Sequence, residues 1–424
     1  MITGVTPQKL SPADMIIPFF VLSALSYLTL TVLIYFAADS FSQHYFHPKL
    51  LAITHVAALG FITSVIIGSL YQMFPVIFET EIKNEGLGRL SFYALMSGLL
   101  FLAHSFWVFN VGYAFHIGGC LTVLSLVLFS YVFYSSVRGC PNWKIEFDFI
   151  STSVLWLLLT GLVGLLLVFN FSYPFIPKSH LEILKIHAHM GLVGWIVLLV
   201  IGVSSRLLPM FIIAKSPDTT PLKYSYGLIN TGLFLFCVTV YFALPAWLIY
   251  VSVFLIEAGI AIFLYFMYYV FRERIRRKLD AGLTLTFISF LLLVAVLPLA
   301  MLIPSAVLPE KSMMTLRIVY GVMILLGFSG ALILGQALKI VPFILWMYRF
   351  QQFSGTKKIP LPKDMVSEKI SGAVMYLFLG GLLILLVSLI LNSIPGNKAA
   401  AILLIVSAIL FNINIAKALF FKIK

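Results

Sequence analysis

One pattern occurs three times in this chain and fixes its plan. A slot residue is followed by Gly five positions on, Gly thirteen on and Pro twenty on. The copies are His55, Gly60, Gly68, Pro75; then His189, Gly194, Gly202, Pro209; then Val322, Gly327, Gly335, Pro342. Successive slots lie 134 and 133 residues apart, so the chain reads as three tandem units, 1–138, 139–278 and 279–424. Position +17 is polar in every copy: Gln72, Arg206, Lys339. Two slots hold histidine and the third valine, so a ring of equivalent ligands is incomplete.

What the units are made of follows from hydropathy. Hydrophobic residues make up 61% of the 424 and charged residues 10%, with a mean hydropathy of +1.07. No water-soluble core needs that, and the chain reads as an integral membrane protein. A span needs roughly 20 apolar residues. Twelve are expected, at about 14–37, 49–78, 87–108, 110–136, 149–170, 182–213, 222–244, 246–271, 281–305, 314–349, 369–392 and 399–421. The expected fold is all-α and polytopic: one membrane domain, 1–424, of three four-helix units related by pseudo-threefold symmetry. The first span reads as a retained helix, not a cleaved signal.

Basic residues set the orientation. The side holding the N-terminus carries 20 Lys and Arg, including the runs at 272–278 and Lys357, Lys358, Lys363, Lys369; the other side carries six. Both termini are therefore expected in the cytoplasm, with a prokaryotic inner membrane as the location. The net charge of +13 is mostly this signal plus attraction to anionic lipid. A nucleic-acid partner is not expected. Cys120, Cys140 and Cys237 lack CxxC spacing and read as small apolar residues. The stretch 350–368 is polar and reads as a solvated connector, or as a partner contact. Without an extramembrane domain, any soluble redox centre must come from another protein.

On a regular helix, at 100° per residue, positions +5, +13 and +20 face away from the slot. Each signature helix is thus expected to pack by its glycines and turn its slot the other way. All eight histidines precede residue 190. His55, His104, His116, His187 and His189 fall in spans, where ionisable groups are costly and usually functional. A single interhelical hydrogen bond each is the plainer reading, most of all for His104 and His116. His187 and His189 point about 160° apart and must face two neighbours. In a ring of three units, His55 would face His187, and His189 would face Tyr320. Facing neutral histidines are what a six-coordinate haem requires.

The run H-A-H-M-G-L-V-G-W-I-V-L-L-V-I-G-V-S-S-R-L-L-P-M-F, His187 to Phe211, resembles the haem-copper oxidase subunit I superfamily, and within it the NnrS-like membrane proteins of nitric oxide metabolism. The oxidases carry H-x-H followed by Gly and Pro at these offsets on their tenth helix. The resemblance implies one haem b between units one and two. It leaves room for a second haem or a copper at His189, with His104, His116 and Tyr320 as candidates. No histidine follows His189, so a complete oxygen-reducing centre is not expected. The superfamily moves protons along acidic residues and lysines; Glu257, mid-span, and Lys339 are the positions for this here, with a protonated Glu257 beside a polar partner, or a Lys339 reaching to the interface, as the alternatives.

The function expected is a haem-binding redox or gas-handling membrane protein, transferring electrons or binding a gas such as nitric oxide or oxygen. If it is an enzyme, it is an oxidoreductase. A cytochrome or quinol would donate electrons, and further membrane subunits are possible partners beside the lipid bilayer. The alternatives are a copper or haem carrier, and a non-catalytic subunit that kept the fold.

Overall fold

A computed structural model describes residues 11–215, 218–305, 307–353 and 359–422. Twelve helices are long and apolar enough to cross a bilayer: α1 Ala13–Phe36, α2 Pro48–Met73, α3 Glu85–Val108, α4 Tyr113–Val137, α5 Ile145–Ser172, α6 His180–Ile212, α7 Thr220–Phe242, α8 Trp247–Arg272, α9 Ala281–Ser305, α10 Glu310–Phe353, α11 Glu368–Ile390 and α12 Ile394–Leu419. By length and composition this is a multi-pass membrane protein. The described residues form no strand beyond one isolated bridge, Ala214 with Arg274. Helices satisfy their own backbone groups, which a bilayer interior demands. The outward faces are apolar, with Leu100, Phe234, Tyr265, Leu291 and Leu383 exposed, a surface suited to lipid.

Helix starts are set by capping that hydropathy does not report. The last helix begins at Ile394, ahead of the expected 399, because the Ser393 hydroxyl accepts from the Gly396 N–H and Pro395 suits the first turn. His47 caps α2, accepting from Lys49 N–H at Nδ1, with Pro48 following.

Three helices form the interior. In α2, α6 and α10, 78% of the most apolar stretch is buried, against 22–56% in the other nine. Each packs on the helix that precedes it: α2 on α1, α6 on α5, α10 on α9. The repeated glycines make those contacts. A side chain at Gly202 would meet the Glu146 carbonyl, and one at Gly335 the Gly282 carbonyl, so backbones touch where a Cβ has no room. Gly327 is the exception, with nothing nearer than 3.8 Å. Helices α4 and α5, α8 and α9, and α12 and α1 also pack together. Asn412 and Asn397 donate to the carbonyls of Ala24 and Ala38, holding the last helix on the first.

One end of the bundle gathers Ser11, Tyr71, Gln72 and Tyr348, linked by hydrogen bonds. The opposite end gathers Tyr45, Phe46, His180 and Arg317. Pro342 lies inside its helix, within the span expected at 314–349. α10 continues to Phe353. A proline removes one backbone donor, and here the turns beyond it are held from outside, by Trp346 donating to the Pro360 carbonyl and Arg349 to carbonyls at the end of α12. The stretch read as a solvated connector packs back along its described part. Met365 is fully buried and Ser367 N–H donates to Asn414. Lys357 and Lys358 lie outside the described residues.

Between α8 and α9, Asp280 caps α9 through Leu283 N–H and receives Lys339 at 2.7 Å and Arg276 at 3.1 Å. Burial pushes its carboxyl up, but the Lys339 and Leu283 hydrogen bonds and the two cations outweigh that and hold it below the ordinary 3.8. A carboxyl lowered by folding contributes stability above its unfolded value and loses it as pH falls through the folded one. Thermal unfolding in detergent should therefore weaken more steeply on acidification below 3.8 in the wild type than in Asp280→Asn. At neutral pH the substitution should cost roughly 1 kcal/mol, since the site is partly screened. Gly335→Leu should cost about 1–3 kcal/mol or more, read as a lowered unfolding midpoint, because α10 cannot then approach α9.

Candidate functional site

α2, α6 and α10 share one local departure. Each contains an eight-residue π-helical segment, Val56–Thr63, Met190–Val197 and Met323–Gly330. All three start at the residue after the slot: His55, His189 and Val322. Such wide turns frequently mark functional sites. They also shift the angular phase of everything that follows, so the slot and the later glycines do not share one regular-helix register. The glycines still reach α1, α5 and α9, but through this shift and not by the straight 100° projection.

The slots sit about two to three turns in from the end that holds Tyr45 and His180. There the structure brings His55 of α2 beside His187 of α6, with ring centres 6.4 Å apart and planes 22° from parallel. Both rings are deep in the bundle, yet each keeps part of its surface uncovered. His55 Nδ1–H donates to the Leu51 carbonyl at 2.8 Å, one turn back on its own helix. His187 Nδ1–H donates across to the Thr160 carbonyl of α5 at 3.0 Å. A carbonyl can only accept, so both Nδ1 atoms carry the proton and, in the neutral rings, both Nε2 atoms present a lone pair. Phe106 of α3 stacks on His55 at 4.9 Å.

The seat of His187 is cut into α5. A Cβ on Gly164 would lie 2.7 Å from His187 Cε1 and 3.2 Å from Nδ1, so only glycine leaves room for the ring against that helix. No sequence motif marks Gly164 or Thr160. Their one signal is a threonine and a glycine four residues apart, one turn of helix, on the span before the H-x-H.

A second, related pair lies across α6. His189 Nδ1–H donates to the Lys185 carbonyl at 2.8 Å, as His55 does to Leu51. Its ring stands 6.3 Å from that of Tyr320 on α10, again at 22°. Phe236 of α7 covers its other side at 4.6 Å. Glu257 of α8 has one carboxylate oxygen buried without a hydrogen-bond partner. The polar partner considered for Glu257 is therefore not among its hydrogen bonds. At the third junction the equivalent residues are Val322 and Ile53, both apolar.

The other candidates stand apart from these pairs. His104 is exposed on α3. His116 stacks on Phe169 at 4.8 Å and Tyr173 at 5.9 Å, with Nε2 buried and unpartnered. Lys339 pairs with Asp280, the residue that caps the start of α9, at 2.7 Å. Among the described residues no three His, Cys, Asp or Glu side chains converge, so copper finds no three-ligand set and His104 and His116 do not complete one at His189. The three cysteines are free.

No protein-family model matches this sequence, and no curated protein shows significant similarity to it.

Gly164→Ala should displace the His187 ring and break its bond to Thr160. In nitrogen-15 histidine spectra of the solubilised protein, the bonded Nδ1–H signal of His187 should shift or vanish, while that of His55 remains. An unchanged His187 signal would contradict the seating described.

Proposed function

We propose that this chain is a haem-binding membrane redox or gas-handling protein on the haem-copper oxidase subunit I plan, with one haem b held between His55 and His187 and without a complete haem–copper centre. The observation that carries the reading is the facing imidazole pair. The two ring centres lie 6.4 Å apart, so His55 and His187 are the residues that would hold a metal-centred group between α2 and α6. Both rings are also held as ligands are held elsewhere, with Nδ1–H on a carbonyl and Nε2 free. Haem bound there supplies a one-electron centre whose potential its ligands and surroundings set.

The residues of the chain do the rest. The Leu51 and Thr160 carbonyls fix the tautomer, orient each ring and raise its basicity as a ligand. Phe106 stacks on the His55 ring at 4.9 Å and helps fix its plane. The His189–Tyr320 pair repeats the arrangement one junction on, and we assign it as a second, unlike cofactor-binding position. The pseudo-threefold plan is supported by three π-helical segments in one register, and by packing of α2, α6 and α10 on α1, α5 and α9. Electrons would come from a separate cytochrome or quinol. We assign both termini to the cytoplasm, a reading the basic-residue asymmetry supports, and the chain to a prokaryotic inner membrane.

The test is optical. Purified in detergent, the wild type should show a Soret band and a sharp reduced α-band with about one iron per chain. His55→Ala and His187→Ala should each lose most of that absorbance while the protein stays monodisperse. If both variants keep full haem content, the assignment fails.

A further inference from the structure

Towards the end of the bundle that holds Ser11 and Tyr348, α2, α6 and α10 line a partly open cavity of about 70 Å³. That is several times the roughly 10–15 Å³ that one water needs. Its walls come from these three helices alone, and most of them are Ile, Leu and Val, among them Ile66, Val200 and Leu332. Four polar residues reach it. The Ser329 hydroxyl is taken by the Ile324 carbonyl at 2.7 Å, and the Gln336 amide by the Thr286 hydroxyl at 2.8 Å. Ser69 Oγ is buried with no partner, and Ser204 is the fourth.

This balance decides the occupant. A buried water needs about two to four hydrogen bonds, and beside the Ser69 and Ser204 hydroxyls, the already bonded Ser329 and the Gln336 side-chain carbonyl the walls are aliphatic or methionine side chains. An ion would need more still, since a charge in such a place is costly without partners. A small apolar body gains dispersion contacts on every side that an empty space forfeits. We infer that this cavity binds a small neutral apolar molecule, of the size of a diatomic gas or a noble-gas atom, on the common axis of the three inner helices. The inference stands on the cavity alone and holds whether or not haem is bound at His55 and His187.

Xenon is the probe. The full chain in detergent would be studied by xenon-129 NMR, and crystals under xenon pressure would locate the atom. Wild type should show saturable binding with xenon between Val200 and Leu332. Val200→Phe, which fills the space, should lose it. Leu332→Ala, which enlarges the space, should bind xenon more strongly, and Ser69→Ala should retain it. No xenon in either wild type or Leu332→Ala would overturn the inference. So would ordered water bridging Ser69 and Ser204, or a continuous acyl chain threaded through the cavity.

Discussion

Close approach of backbones inside the bundle is the constraint on which the rest depends. In lipid there is no hydrophobic force to drive one apolar helix onto another, so helices associate by packing and by polar contacts. Where α10 meets α9, Gly335 and Gly282 leave no room for a Cβ, and Gly202 does the same between α6 and α5. These contacts anchor the three signature helices to their neighbours and draw them into the interior. Only then can residues on α2, α6 and α10 face one another, and only then does a shared apolar cavity exist between them.

Against this repeated frame the differences carry the chemistry. Each junction offers a slot residue and the residue two before the next slot. The first junction holds two histidines, the second a histidine and a tyrosine, the third a valine and an isoleucine. The π-helical turn is present at all three, so the backbone geometry is kept where the ligands are not. The supporting groups differ likewise. His55 and His189 donate to their own helices, whereas His187 is bound by Thr160 and given space by Gly164 on α5. Polarity thus falls from the first junction to the third, and cofactor binding is expected to follow it.

Much of this was legible in the residues. Apolar runs near 20 residues long located twelve helices, because the thickness of a bilayer sets that length. The spacing of 134 and 133 residues singled out α2, α6 and α10. The reasoning that sent His187 and His189 to different neighbours needed only the angle between residues two apart. Other features were hidden because they depend on contacts between distant segments. The docking of the end of α10 rests on Arg349 and Trp346 reaching the end of α12 and Pro360. The position of Lys339 rests on Asp280, 59 residues earlier. The surroundings of His116, stacked on Phe169 and Tyr173 with Nε2 unpartnered, were not readable from its position in the chain.

The sequence alone determined that this chain is a set of membrane helices in a threefold repeat pattern, since hydropathy and glycine spacing are local properties that no neighbour can change. It also determined that the repeat is unequal, with histidine at two slots and valine at the third. Tertiary structure decided which of eight histidines meet a partner, which helix supplies the carbonyl that fixes each ring, and where space remains. Those outcomes depend on the wide π turns and on side-chain volumes from four or more helices at once. Distances of a few ångströms between residues more than a hundred positions apart are set by packing, and packing is a property of the whole bundle.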